Sequence, residues 1–139
     1  DVREASGLAT STRHPEVLWV INDSGSKPMI HAIANDGTRR GEVNVQNAGN
    51  IDWEDLAAFR MDEEDVLMVA DIGDNLSIWR KRTLYFVTEP EIDSNGNTTA
   101  SRRVDFRYPD GPRDAESAAV DTGSLRALVL TKRDLPPRL

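Results

Sequence analysis

Trp53-Glu54-Asp55-Leu56-Ala57, then Leu67-Met68-Val69-Ala70, then Asp71-Ile72-Gly73-Asp74-Asn75: this order decides the fold, because the chain repeats it. Upstream it reads Ser6-Gly7-Leu8-Ala9, Leu18-Trp19-Val20-Ile21 and Asn22-Asp23-Ser24-Gly25. Downstream it reads Ala115-Glu116-Ser117-Ala118-Ala119, Ala127-Leu128-Val129-Leu130-Thr131 and Lys132-Arg133-Asp134. In each copy a small or acidic turn enters a short apolar strand. A second apolar run follows and ends in polar groups.

Leu8 and Leu56 are 48 positions apart (56 − 8), and Leu56 and Ala118 are 62 apart (118 − 56). Periods of roughly 40 to 50 residues belong to propeller blades. Val17 to Ile21 is a near-continuous apolar run stopped by Asn-Asp-Ser-Gly, which suits a strand buried on both faces. Met29 to Ala34 reads as the next strand, and Asn35-Asp36-Gly37 as a hairpin turn, since these residues tolerate positive φ. Gly41 to Val45 closes the first unit. The second unit repeats this with Leu56–Phe59, Val66–Ala70, Thr83–Thr88 and Val104–Tyr108, with Asp93 to Asn97 as a polar surface loop between the last two. The third unit supplies only Ser117–Asp121 and Ala127–Thr131. Pro136 and Pro137 cannot donate to a ladder, so the tail is expected to lie outside any sheet. The expected architecture is all-β: a single partial β-propeller of about two and a half four-stranded antiparallel blades, with blades at 1–49 and 50–110, half a blade at 111–134, and a tail at 135–139.

Hydrophobic residues make up 38% of the 139 and charged residues 29%, a globular balance. The net charge is −7. Phosphate neutralisation needs clustered Lys and Arg, and Arg80-Lys81-Arg82 is short, so the reading names no nucleic acid. No stretch approaches the roughly 20 apolar residues of a spanning helix, and no membrane partner is named. The absence of cysteine excludes disulfides and thiolate metal sites. The first residue is Asp1 rather than Met, which leans the reading toward a secreted or periplasmic location.

Glu4-x-Ser6-Gly7-Leu8-Ala9, Leu18-Trp19-x-x-Asn22-Asp23-Ser24-Gly25, Asp52-Trp53-Glu54-Asp55-Leu56-Ala57, Asp71-Ile72-Gly73-Asp74-Asn75, Glu89-Pro90, Asp114-Ala115-Glu116 and Thr131-Lys132-Arg133 together resemble bacterial β-propeller repeat proteins of poorly defined function, related to phytase-like and esterase-like propellers. The resemblance covers nearly the whole chain. It implies a ring of blades of which this chain looks like an N-terminal half.

In such a ring the innermost strands start at one mouth. Ser6, Glu54 and Glu116 are expected to be equivalent there, as are Asn22, Asp71 and Lys132 at the ends of the second strands. Hard cations such as calcium favour several carboxylate oxygens, and the second repeat offers Asp52, Glu54, Asp55, Asp71 and Asp74 as candidate metal ligands. Asn22, Asp23, Trp53, Glu116 and Lys132 are the candidate contacts to a small polar ligand. The competing reading is structural, with the carboxylates accepting hydrogen bonds from turn amides. Trp19 is expected in the core, and Trp53 either packs between blades or lines a pocket. Asp93-x-Asn95-x-Asn97 begins like a calcium-binding loop, but Thr98 and Val104 stand where glycine and glutamate are needed. A Gly-x-Ser-x-Gly elbow is absent, and only His14 and His31 offer imidazoles.

The functional expectation is a binding or scaffold module whose acidic mouth holds a divalent cation, with calcium as the candidate, or a small polar ligand. The alternative is a metal-assisted phosphoesterase or esterase at the same rim. An unclosed array exposes strand edges, so the expected partner is a second copy or a missing second half.

Overall fold

The computed structural model describes residues 2–139, and they are all-β. β1 (Ala5–Thr10), β2 (Val17–Asn22), β3 (Met29–Ala34) and β4 (Arg39–Gln46) form an antiparallel meander. β5 (Trp53–Met61), β6 (Glu64–Asp71), β7 (Arg82–Thr88) and β9 (Arg102–Phe106) repeat it, and β10 (Ala115–Asp121) with β11 (Arg126–Thr131) begins it a third time. The tail after Thr131 contains no strand; it folds back so that Thr131 N donates to Arg138 O at 3.0 Å.

The sheets stack, and the apolar patterns follow from the stacking. β6 lies in the middle sheet, so Val66 through Ala70 are all buried and no polar alternation survives. Leu67 and Val69 face the first sheet, against Trp19, Ile21, Ile30 and Val43. Met68 and Ala70 face the third, against Ala115 and partly buried Ala118 and Val129. β10 has only one packed face, and its exposure alternates accordingly. Trp19 is 1% exposed and Trp53 fully buried, both in the layer between the first two sheets. Trp53 stacks obliquely on Tyr85 and donates from Nε1 to Gly49 O at 2.8 Å, so it packs between sheets.

Each sheet carries an irregularity at the same place. The pairing shifts between Ala5 and Gly7, between Trp53 and Asp55, and between Ala115 and Ser117. One residue is left over in each: Ser6, Glu54 and Glu116. A β-bulge re-aims the extra side chain, here at three equivalent points. The register also corrects one expected equivalence. Asn22 pairs with Ala5, Asp71 with Trp53, and Thr131 with Ala115, so Thr131 rather than Lys132 is the third counterpart of Asn22 and Asp71.

The polar loop expected at Asp93 to Asn97 is confined to Asp93 and Ser94. Asn95–Thr99 forms β8, which leaves the second unit and pairs in parallel with β4, giving the first sheet five strands rather than four. Asn-Gly-Asn-Thr-Thr has no apolar alternation because it lies at a sheet edge with mostly exposed side chains. Gly41 permits the crossing, since a Cβ there would meet Ile92 O and Ser94 O. The last strand of the second sheet also starts earlier than expected, at Arg102.

Close contacts at both ends join the first sheet to the second. At one end of the stack, buried Glu89 receives hydrogen bonds from Ser11 Oγ, Thr12 Oγ1, Thr12 N (3.2 Å) and Trp19 Nε1 (2.9 Å). At the other, β1 approaches β5 so closely that a Cβ on Gly7 would lie 2.7 Å from Leu56 N. Backbone cannot yield there as a side chain would. Gly7→Ala is therefore expected to force the two strands apart and cost about 2 kcal/mol. Chemical denaturation with an unchanged midpoint would show that the strands are not in contact.

The third sheet has two strands where the others have at least four, and it leaves part of the second sheet uncovered. A groove of about 320 Å³ remains there, walled by Phe59, Met61, Leu84, Phe86, Val104 and Val120.

Candidate functional site

The start of β5 and the end of β6 lie together, because Trp53 pairs with Asp71. Four short segments bring carboxylates to this end. Asp23 follows β2, Asp52 precedes β5, Glu54 is the bulge residue of β5, and Glu116 is the bulge residue of β10. Carboxylate oxygens of Asp23, Asp52 and Glu54 all lie within 4.8 Å of one another. Loop anchoring places them. Asn50 Nδ2 donates to Asn22 O (3.1 Å) and Asp23 O (3.0 Å), and Asp52 N donates to Asp71 Oδ1 at 2.9 Å. Glu4 N bonds Asn22 Oδ1 in the equivalent place at 3.4 Å, so this tie belongs to the repeat.

Gly73 completes the enclosure. A Cβ at this position would collide with Glu54 Oε1 and come within 2.5 Å of Asp52 Oδ2. Any side chain there would have to push the two carboxylates out of the positions they hold.

Glu54 carries the unusual electrostatics. It is 7% exposed, and its carboxylate makes no hydrogen bond or ion pair among the described residues. Burial, and then the charges of Glu116, Asp23 and Asp52, push its pKa up to about 8, with Lys132 opposing. Burial and Asp23 also raise Asp52, while Ser24 and Arg82 pull it down. Three acids held together with one of them unpartnered form a group that gains from an added positive charge.

The remaining expected site residues are spent on structure. Asp55 accepts from Leu56 N (2.8 Å) and, through its other oxygen, from Ala118 N of the third sheet (2.7 Å). Asp71 is buried with Arg82, Nη2 to Oδ1 at 3.1 Å; burial still raises its pKa despite that partner and the Asp52 amide. Asp74 caps the next loop, accepting from Ile78 N (3.0 Å) and Trp79 N (2.7 Å). Its own N–H donates to Asp114 Oδ1 at 2.8 Å. Asn22 accepts amide bonds and is buried. Lys132 pairs with Glu116 beside the cluster. The imidazoles take no part: His31 Nδ1 is bound to Glu42 on the first sheet, and His14 lies in the β1–β2 connection at the far end.

Asp23 was legible only as a possible polar contact, because it belongs to a different repeat from Asp52 and Glu54. The signal for its inclusion is Asn50, whose amide pulls the end of the first repeat onto the start of the second. Comparison of the chain with protein-family models, curated proteins and solved structures finds no match.

Proposed function

We propose that this chain is a binding and scaffold module, a partial β-propeller of about two and a half blades, whose mouth binds a divalent cation of the calcium type through Asp23, Asp52 and Glu54. The observation that carries the reading is Glu54: a residue only 7% exposed, whose carboxylate has no donor among the described residues and lies beside two further carboxylates. An isolated buried carboxylate takes up a proton to avoid the cost of its charge, as its pKa of about 8 expresses. A dication replaces that proton. Hard cations take six to eight oxygens on loops and tolerate irregular geometry, so three carboxylates with water in the remaining positions suit calcium better than magnesium, which demands a near-ideal octahedron. Repetition of the bulge, the Asx tie and the buried inter-sheet layers supports the propeller architecture.

Isothermal titration at pH 7 tests the reading. Calcium is expected to bind one site with release of up to one proton, visible as a heat that depends on buffer ionisation enthalpy, and to raise the melting temperature by mass action. No heat and no thermal shift at millimolar calcium would leave the carboxylates with a structural role alone.

A second reading, metal-assisted hydrolysis of a phosphoester or ester, is favoured by one observation. A carboxyl group titrating near 8 suits general acid–base work at neutral pH. Calcium-dependent turnover of a phosphoester and ester panel, lost in Glu54→Gln, distinguishes it from binding without turnover.

The apolar groove beside β11 and that strand's unpaired edge make association with a second copy or a missing half of the ring part of the same proposal. Light scattering at micromolar concentration is expected to show a species larger than 15.5 kDa. A stable monomer across a hundredfold concentration range would remove association from the reading.

A further inference from the structure

The second sheet has another hollow at its outer corner. It lies where the connection entering β7 meets the one leaving β9, has a volume of about 260 Å³, and is lined by Arg80, Arg107, Tyr108, Pro109, Gly111 and Pro112. Both charged walls are arginines. Neither makes an ion pair or hydrogen bond among the described residues, although the chain holds 24 acids against 17 Lys and Arg. The surrounding cations behave differently. Lys81 and Arg103 contact Asp105, Arg82 contacts Asp71, and Arg113 contacts Asp110. Lys27, Arg102 and Arg126 also lack an acid partner among the described residues, so what sets Arg80 and Arg107 apart is that they line one hollow whose walls include no acid.

The hollow is also shaped in advance. Pro109 and Pro112 fix their own φ angles, and Gly111 adopts a φ of +113°, which only glycine takes readily. Asp110 between them is held by both Arg113 and Arg138. The Tyr108 hydroxyl is buried and unpartnered, so it does not add a donor accessible from solvent. What the hollow offers is two guanidinium groups, proline rings and a backbone that has little freedom to lose.

We propose that this hollow binds the phosphate or carboxylate group of a small organic anion, with Arg80 and Arg107 gripping the oxygens and the prolines meeting the apolar body. The guanidinium fork matches either oxyanion with two parallel N–H bonds. The site is distinct from the carboxylate cluster, which lies at the inner strands of the same sheet and repels such a ligand.

Amide spectra of the isotopically labelled chain, titrated separately with inorganic phosphate, acetate and phenyl phosphate, test this. Sodium chloride at matched ionic strength is the reference. The expected result is saturable movement of the Arg80, Arg107, Tyr108, Asp110 and Gly111 amides with every oxyanion. Phenyl phosphate is expected to bind several-fold tighter than phosphate through the proline wall. Arg80→Ala or Arg107→Ala alone should weaken binding about tenfold, the amount expected for losing one charge-assisted contact. The double variant should abolish it, and Arg126→Ala, which removes an unpaired arginine elsewhere, should leave it unchanged. The same spectra report whether each variant is folded. Movement equal to that in chloride, movement spread over Arg126, or binding that survives in the folded double variant would overturn the proposal.

Discussion

Glu54→Gln is expected to abolish calcium binding and to remove most of the pH dependence of stability between pH 5 and 8. The Glu54 carboxyl titrates at about 8 in the folded chain against 4.5 when unfolded. Folding therefore takes up a proton in this interval. The stabilisation is complete below pH 4.5 and is lost as pH rises through 8, because the folded state must then keep a buried anion that the unfolded state solvates freely. The span is on the order of a few kcal/mol. Glutamine has the same shape and never ionises. At pH 8.5 without calcium, the variant should be about 2 kcal/mol more stable than the parent, a melting temperature higher by about 6–10 °C. Calcium should reverse the order, stabilising the parent and leaving the variant unmoved. Thermal unfolding at pH 5 and 8.5, with calcium and with chelator, gives all four values. A variant that still binds calcium, or one less stable than the parent at pH 8.5 in chelator, would remove Glu54 from the site.

The largest loss of stability is expected from Glu89→Ala, about 3–5 kcal/mol, enough to unfold a domain of ordinary marginal stability. Glu89 lies at the end of β7 and binds three residues of the first sheet. Burial raises its pKa, but hydrogen bonds from Ser11, Thr12 and Trp19 outweigh that and leave it below the usual carboxylate range. Its contribution has the opposite pH sign to that of Glu54. It is present above the unfolded value of 4.5 and is lost as pH falls through the depressed folded value. Removing the carboxylate strands the Trp19 N–H and the Ser11 hydroxyl in a buried place, whereas the exposed Thr12 can turn to water, and each orphaned buried donor adds to the cost. Glu89→Gln keeps an acceptor and should cost about half as much. Denaturation midpoints at pH 7 and pH 3.5 test both statements: the deficit of Glu89→Ala should shrink on acidification. A deficit unchanged at pH 3.5 would mean that the charge is not what the Ser11–Trp19 cluster binds.

The strands themselves were legible from the residues. Val17 to Ile21 and Val66 to Ala70 are short, apolar, β-branched and stopped by Asn, Asp and Gly, and such runs have few alternatives to a buried strand. Met29–Ala34 and the Asn35-Asp36-Gly37 turn were equally local, and Gly37 takes the positive φ such a turn needs. β8 was not legible, because an exposed edge strand carries no burial pattern. Its partner β4 lies some fifty residues upstream, and only Gly41 permits the approach.

For the site, the residue spacing alone settles which end of the sheets is acidic. Repeat position fixes how far along its strand a residue sits, so Glu54, Asp71 and their neighbours had to meet at one end of the sheets. Which of them remain available depends on the packing of one sheet on the next. Asp55, Asp71 and Asp74 face amides or Arg82 that burial would otherwise leave unsatisfied, and a buried donor claims the nearest acceptor. Glu54 escapes because its bulge turns it out of the ladder into a space where no donor waits. Asp23 joins it because Asn50 draws the first repeat's turn across the second. Both events depend on side-chain direction and inter-sheet distance, and neither quantity is written in the spacing of residues along one strand.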